Sequence, residues 1–238
     1  MTRRHGARPR RWITRAALLA PVLLVAAVAY GADPEPSRPS SPVATTITAT
    51  LPPGSDVADL IGRLRVDDDQ AGTDYDRARF GQRWADVDRN GCDQRNDALR
   101  IALDEVAFRA GTRDCVVERG LLLDPYTGQA STFVKGTDGG GVDIDHLVPL
   151  AHAWASGAWS WTDEQREAFA NDLSLLQPTD ASTNRSKGDQ DITTWLPPEP
   201  SYSCTYLERW VQAKTTWNLA VTSLELDTLT ALANACTT

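Results

Sequence analysis

The chain is poor in the residues that commonly transfer protons or bind transition metals, with three histidines and four cysteines in 238 residues. It contains no HExxH pair, GxSxG elbow, P-loop or glycine-rich dinucleotide loop, so serine hydrolase, NTPase and Rossmann chemistries lose their usual support. None of Cys92, Cys115, Cys204 and Cys236 lies in a CxxC, which excludes zinc-ribbon spacing. Lysine is also scarce, limited to Lys135, Lys187 and Lys214, and the net charge of −8 counts against a generic polycationic DNA binder. What remains, 41% hydrophobic and 24% charged residues, is enough to bury one sizeable core and is neither collagen-like nor wholly disordered.

A run of the ~20 apolar residues that a membrane span needs is missing as well. The nearest approach, residues 16–30, is interrupted by Pro21 and preceded by Arg3, Arg4, Arg8, Arg10, Arg11 and Arg15. With small residues at Ala27, Ala29 and Gly31, segment 1–31 reads as a secretory signal cleaved within 29–32, a signal anchor to the cytoplasmic membrane being the alternative. Its loss removes six positive charges and no acid, so −8 becomes −14. Residues 32–55 carry Pro34, Pro36, Pro39, Pro42, Pro52 and Pro53 and no aromatic residue, the composition of a disordered linker. Residues 56–238 are expected to form one domain, secreted, monomeric and without stable membrane association.

Within it, helical spacing is expected over 57–64 and from about Arg95, the latter continuing through the LDEVAF segment. CVVERGLLLD reads as a hairpin turning at Glu118–Gly120, DPYTG as a turn, and STFVKG as a strand. In GVDIDHLVPL, apolar Val142 and Ile144 alternate with Asp143 and Asp145, a strand whose polar groups emerge near its end at His146. Thr162 followed by Gln165 is a capping box, predicting a helix over 163–170. LSLLQP is expected to be a strand and TDASTNRSKGD a helix stopped by Gly188, with Asn184 and Lys187 on one face. The four cysteines allow three pairings in an oxidising compartment. Two antiparallel apolar-faced helices, with a turn near 219–222, bring Cys204 beside Cys236, leaving Cys92 to Cys115.

His5 leaves with the signal, so the chemistry rests on His146 and His152. Asp145 offers a hard oxygen ligand, Asn184 a second, and an imidazole near neutral pKa can accept a proton from water. Such parts suit hydrolysis of a phosphodiester with Mg²⁺ or Mn²⁺. DIDHLVPL, FANDLSLLQPTDASTNRSKGD and WLPP, with NGCDQRND and LLLDPYTG before them, resemble the HNH (His-Me finger, ββα-metal) endonucleases. The likeness, over roughly residues 75 to 236, is to secreted bacterial proteins related to the C-terminal nuclease domain of GmrSD-type restriction enzymes. The resemblance implies an α+β fold, a ββα-metal core surrounded by helices. It also implies His146 as general base, Asp145 and Asn184 as metal ligands, and Asn171 as the asparagine that orients the histidine loop. Many relatives have histidine where this chain has Asn184.

Lys187, Arg185 and Arg95 are candidate phosphate contacts. The competing readings are a solvated or Asp189-paired lysine for Lys187 and a helix-start anchor for Arg95. Asp143 and His152 read as solvated surface groups, and the tryptophans after His146 as core. The expected partner is nucleic acid, DNA rather than RNA. The alternatives are a secreted zinc peptidase or cell-wall hydrolase, which the spacing of His146 and His152 does not favour, and a non-catalytic nucleic-acid-binding module on the same fold. Because the domain is acidic, few phosphates are expected to be neutralised by side chains. DNA affinity should then depend only shallowly on salt; a steep slope in a titration from 50 to 200 mM salt would reveal a basic surface assembled by the fold.

Overall fold

The computed structural model describes residues 56–70, 74–136 and 141–236, so the signal and linker expectations lie outside the described residues. The described part begins with a short helix α1 (Val57–Ile61), capped by the Asp56 carboxylate on the Ala58 N–H and shorter than its spacing predicts. Next come α2 (Gln94–Ala102) and three strands, β1 (Leu103–Phe108), β2 (Val117–Leu123) and β3 (Ala130–Val134). These strands form one antiparallel sheet with β2 in the centre.

Two expectations fail in this region. Leu103–Phe108 is strand rather than helix. Leu103 turns to extended backbone at the end of α2 and pairs with Leu122, placing its side chain in the core between α2 and the sheet. CVVERGLLLD is not a hairpin but supplies a single strand. Gly120 lies mid-strand, where a Cβ would meet the Leu103 side chain at 2.9 Å, so the glycine serves close packing instead of a turn.

Strand β4 (Val142–His146) is followed by α3 (Leu150–Ala155) and α4 (Asp163–Ala170) before its antiparallel partner β5 (Leu176–Asp180) and α5 (Ala181–Lys187). The capping box forms as expected at Thr162 and Gln165. LSLLQP divides: Leu173–Leu175 is a 3₁₀ turn and the strand begins at Leu176. Asp180 caps α5 and Gly188, at φ +53°, ends it. Helix α5 packs on both strands of the pair. The buried Asp124 carboxylate fixes the DPYTG turn by accepting from the Tyr126 N–H, the Thr179 hydroxyl and the Asp180 N–H.

Helices α6 (Ser203–Thr216) and α7 (Ser223–Cys236) complete the fold, an α+β arrangement with the two expected disulfides, Cys92–Cys115 and Cys204–Cys236. Val142 and Ile144 join a smaller core with Ala98, Leu99, Phe133 and Leu176. Leu147, Val148 and Leu150 enter a larger one rich in aromatic residues. His146 lies where the chain passes from one core to the other. Trp154 and Trp210 are core as expected, with Trp161, Trp195 and Trp217 packed against it, whereas Trp159 is exposed.

His152 is a correction. It is not a surface histidine; its side chain is 10% exposed and its Nε2 lies 2.7 Å from Lys214 Nζ and 3.5 Å from a Glu225 carboxylate oxygen. Fully buried Lys214 donates to Ser156, the Ala220 carbonyl and Glu225, whose other oxygen accepts from the Trp210 indole. Burial by itself would raise the Glu225 pKa. Hydrogen bonding and charge from His152, Lys214 and Trp210 outweigh it and bring the group from 4.5 to about 2. A depressed carboxyl contributes stability above its unfolded value, and that stability is lost as pH falls through the folded value. Thermal unfolding should therefore show a fall in stability between about pH 4.5 and 2. Glu225→Gln should flatten that fall and cost about 3 kcal/mol at pH 7, by leaving Lys214 buried without its counter-charge.

Candidate functional site

Asp145 and His146 are adjacent in β4, opposite Gln177 and Leu176 of β5, and strand alternation sends their side chains to opposite faces of the pair. The polar groups that were expected to emerge together thus serve two separate environments. Asp145 faces Tyr126 and Lys187; His146 faces Trp84 and the end of α4.

The His146 ring is 8% exposed, and Nε2 lies 2.9 Å from the Ala170 carbonyl oxygen. A carbonyl can only accept, so Nε2 carries the proton and Nδ1 the lone pair. Burial, with the charges of Arg77, Lys187 and Arg83, lowers the imidazole pKa to about 4 against the raising effect of that carbonyl. At neutral pH the group is a neutral base in a fixed tautomer. Trp84 stacks on it, with ring centroids 5.8 Å apart and planes 7° from parallel. Trp84 itself takes φ +58°, a left-handed conformation that costs a bulky residue energy and is held by its surroundings.

What holds it is the last turn of α4. Asn171 is fully buried; its Oδ1 accepts from the Ala85 N–H at 2.9 Å, and its Nδ2 donates to the carbonyls of Gln82 and Glu167. Its own N–H closes the helix on Glu167. The helix-cap reading of Asn171 is met, while its side chain reaches residues 82 and 85 rather than the loop that follows His146. Glu167 accepts from the Gln82 N–H, and Arg166 donates to the Arg79 carbonyl. Together these bonds fasten residues 79–85 as a strap beside His146. The resulting cavity, about 250 Å³, is lined by Arg77, Gln82, Arg83, Trp84, His146 and Ala170, among others. A larger cavity of about 400 Å³, lined by Ile101, Leu122, Leu123 and Tyr202, contains none of the candidate residues.

Asp145 is 4% exposed, and both its oxygens are taken: Oδ1 accepts from Lys187 Nζ and Oδ2 from the Tyr126 hydroxyl, each at 2.8 Å. Burial raises the carboxyl pKa while Lys187 and Tyr126 pull it down; burial likewise lowers the Lys187 pKa while Asp145 raises it. Lys187 is fully buried and also donates to the His146 carbonyl. Asn184, on the same helix, is half-buried. In this arrangement the donor set does not fit a divalent cation. The Lys187 ammonium already supplies positive charge to Asp145, and each carboxylate oxygen already accepts a hydrogen bond inside the protein. Among the described residues no group of three His, Cys, Asp or Glu side chains is placed to hold a metal.

The other candidates are dispersed. Arg185 is exposed on α5. Arg95 is half-buried over the Phe133 ring, its pKa lowered by burial and supported by the charges of Asp93 and Asp143. Asp93 is the actual cap of α2, and Asn96 anchors that helix to β2 through the Val117 N–H. Sequence reasoning missed Arg77, Arg83, Trp84 and Tyr126. Tyr126 was concealed inside a turn motif. The only signal for the strap was the arginine spacing in RARFGQRW, which carries no periodicity.

Replacing Asn171 by alanine strands the buried Ala85 N–H and the Gln82 carbonyl. The expected loss is about 2–4 kcal/mol by urea denaturation, and a loss below about 0.5 kcal/mol would show that the strap is held by other means.

An uncharacterized secreted protein of the fungus Arthroderma benhamiae is 37% identical over 205 residues, covering 83% of this chain and 93% of the fungal protein. No solved structure matches. The family model described as the C-terminal domain of GmrSD restriction endonucleases matches residues 93–232, from the cap of α2 into α7. The chain therefore belongs to the family of GmrSD restriction endonuclease C-terminal domains.

Proposed function

We propose that this chain is an exported endonuclease that hydrolyses phosphodiester bonds of nucleic acid, with DNA as the preferred substrate and His146 as general base. The observation that carries the reading is the tautomer of His146. A neutral imidazole whose Nε2–H is committed to Ala170 keeps its lone pair on Nδ1, and His146 lines a cavity together with Arg77 and Arg83. Water positioned there can pass a proton to Nδ1 as it attacks phosphorus, the P–O bond to the leaving sugar oxygen breaks and that oxygen takes a proton from solvent, while the arginines compensate the charge that develops on the phosphate oxygens. Family membership supports a nuclease reading. The order β4, β5, α5, with α5 packed across the strand pair, supports assigning this segment as the ββα core of an HNH nuclease.

Mg²⁺ on Asp145 and Asn184 is implied by the resemblance alone. Export rests on the leader composition, on the disulfides and on the secreted relative. Among the described residues no helix is long and apolar enough to cross a membrane.

The purified protein is expected to nick supercoiled plasmid DNA, and His146→Ala to reduce the rate at least about a hundredfold, the usual size of a general-base contribution. Equal cleavage by parent and variant would refute the assignment. Chelation bears separately on the cation: loss of nicking restored by Mg²⁺ would mean that Asp145 exchanges Lys187 for the ion.

A further inference from the structure

The strap beside His146 has a composition that the rest of the chain does not explain. In a protein with 32 acidic residues against 24 basic ones, the residues lining the His146 cavity include two arginines and no acid. Both arginines are exposed, and among the described residues neither forms a salt bridge. The strap is nevertheless rigidly mounted. Asn171, Glu167 and Arg166 fix its backbone at Ala85, Gln82 and Arg79. Arg83 lies over the Trp84 ring at 5.5 Å, and Trp84 in turn stacks on His146. The order guanidinium, indole, imidazole sets the Arg83 charge at a defined offset from the proposed base. Arg77 approaches the same cavity from the 3₁₀ turn Arg77–Phe80.

Arg77 bonds Tyr75 and Arg83 lies over Trp84, but positive charge that forms no salt bridge among the described residues, on a braced backbone next to a neutral base, is suited to an anionic ligand. We propose that Arg77 and Arg83 form a phosphate-binding subsite that seats a phosphodiester of the nucleic-acid backbone against His146. The inference rests on the nuclease reading for the identity of the anion and on the strap geometry for the subsite itself. It also reconciles an acidic protein with a polyanionic substrate, since the attraction is local.

The test measures binding without turnover, using full-length His146→Ala protein and a fluorescent DNA duplex titrated between 50 and 200 mM salt. Two neutralised phosphates give a slope of log K against log salt of about −2. Arg77→Gln and Arg83→Gln, introduced singly, should each weaken binding about tenfold and make the slope shallower by about one. Arg119→Gln, which removes the same charge from exposed β2, should leave both unchanged. Circular dichroism melts confirm that the variants fold. Unchanged binding in both strap variants, or an equal loss in Arg119→Gln, overturns the subsite. The nuclease reading is judged separately, in the His146-intact background. A parent that cleaves nothing, while strap variants still lose binding, refutes that reading and keeps the anion subsite. A parent that cleaves, with strap variants of unchanged KM, refutes the subsite and keeps the nuclease.

Discussion

The Asn171 carboxamide is the interaction on which the site depends. It is wholly buried, and two of its three side-chain bonds join the end of α4 to a strap that is 86 residues away in sequence at Ala85. Ala170, one residue before it, provides the carbonyl that fixes the His146 tautomer. The strap in turn provides Trp84 for the ring face and two guanidinium groups for the cavity. A carboxamide suits this place because it both donates and accepts; neither a carboxylate nor an aliphatic side chain could satisfy the backbone N–H and the two carbonyls at once.

A second constraint is how the scarce lysines are used. Two of the three are fully buried: Lys187 against Asp145, and Lys214 against Glu225 and His152. Lys187 reads from the sequence as a candidate phosphate contact, yet both buried lysines are tied to internal acids. Burial makes such pairs unforgiving, because removing either partner leaves an uncompensated charge. Exposed positive charge near the cavity comes from arginine, which keeps its proton in any environment and can grip a phosphate with two parallel bonds.

Much of the fold could be read from the sequence wherever a residue type has a local reason to be where it is. The capping box at Thr162, the Gly188 stop and the α6–α7 pairing of Cys204 with Cys236 all follow from interactions within one or two elements. Misreadings occurred where the reason was distant. Gly120 looks like a turn until Leu103 is packed against it, and His152 looks solvated until Lys214 is brought 62 residues back to meet it. In the site, His146 and Asn171 were legible from motif spacing. Arg77, Arg83 and Trp84 were not, because an irregular strap has no period and gains its meaning from Asn171. The separation of Asp145 from His146 follows from strand alternation, a rule available in the sequence but obscured by treating the two residues as one motif.

The two disulfides link Cys92 to Cys115 and Cys204 to Cys236, separations of 23 and 32 residues, and their loops neither overlap nor interleave. For a chain that emerges N-terminus first into an oxidising space, the first bridge has its complete pair available long before Cys204 appears. Sequential oxidation in order of emergence therefore yields native connectivity without reshuffling, and an isomerase is not needed to choose among the three possible pairings.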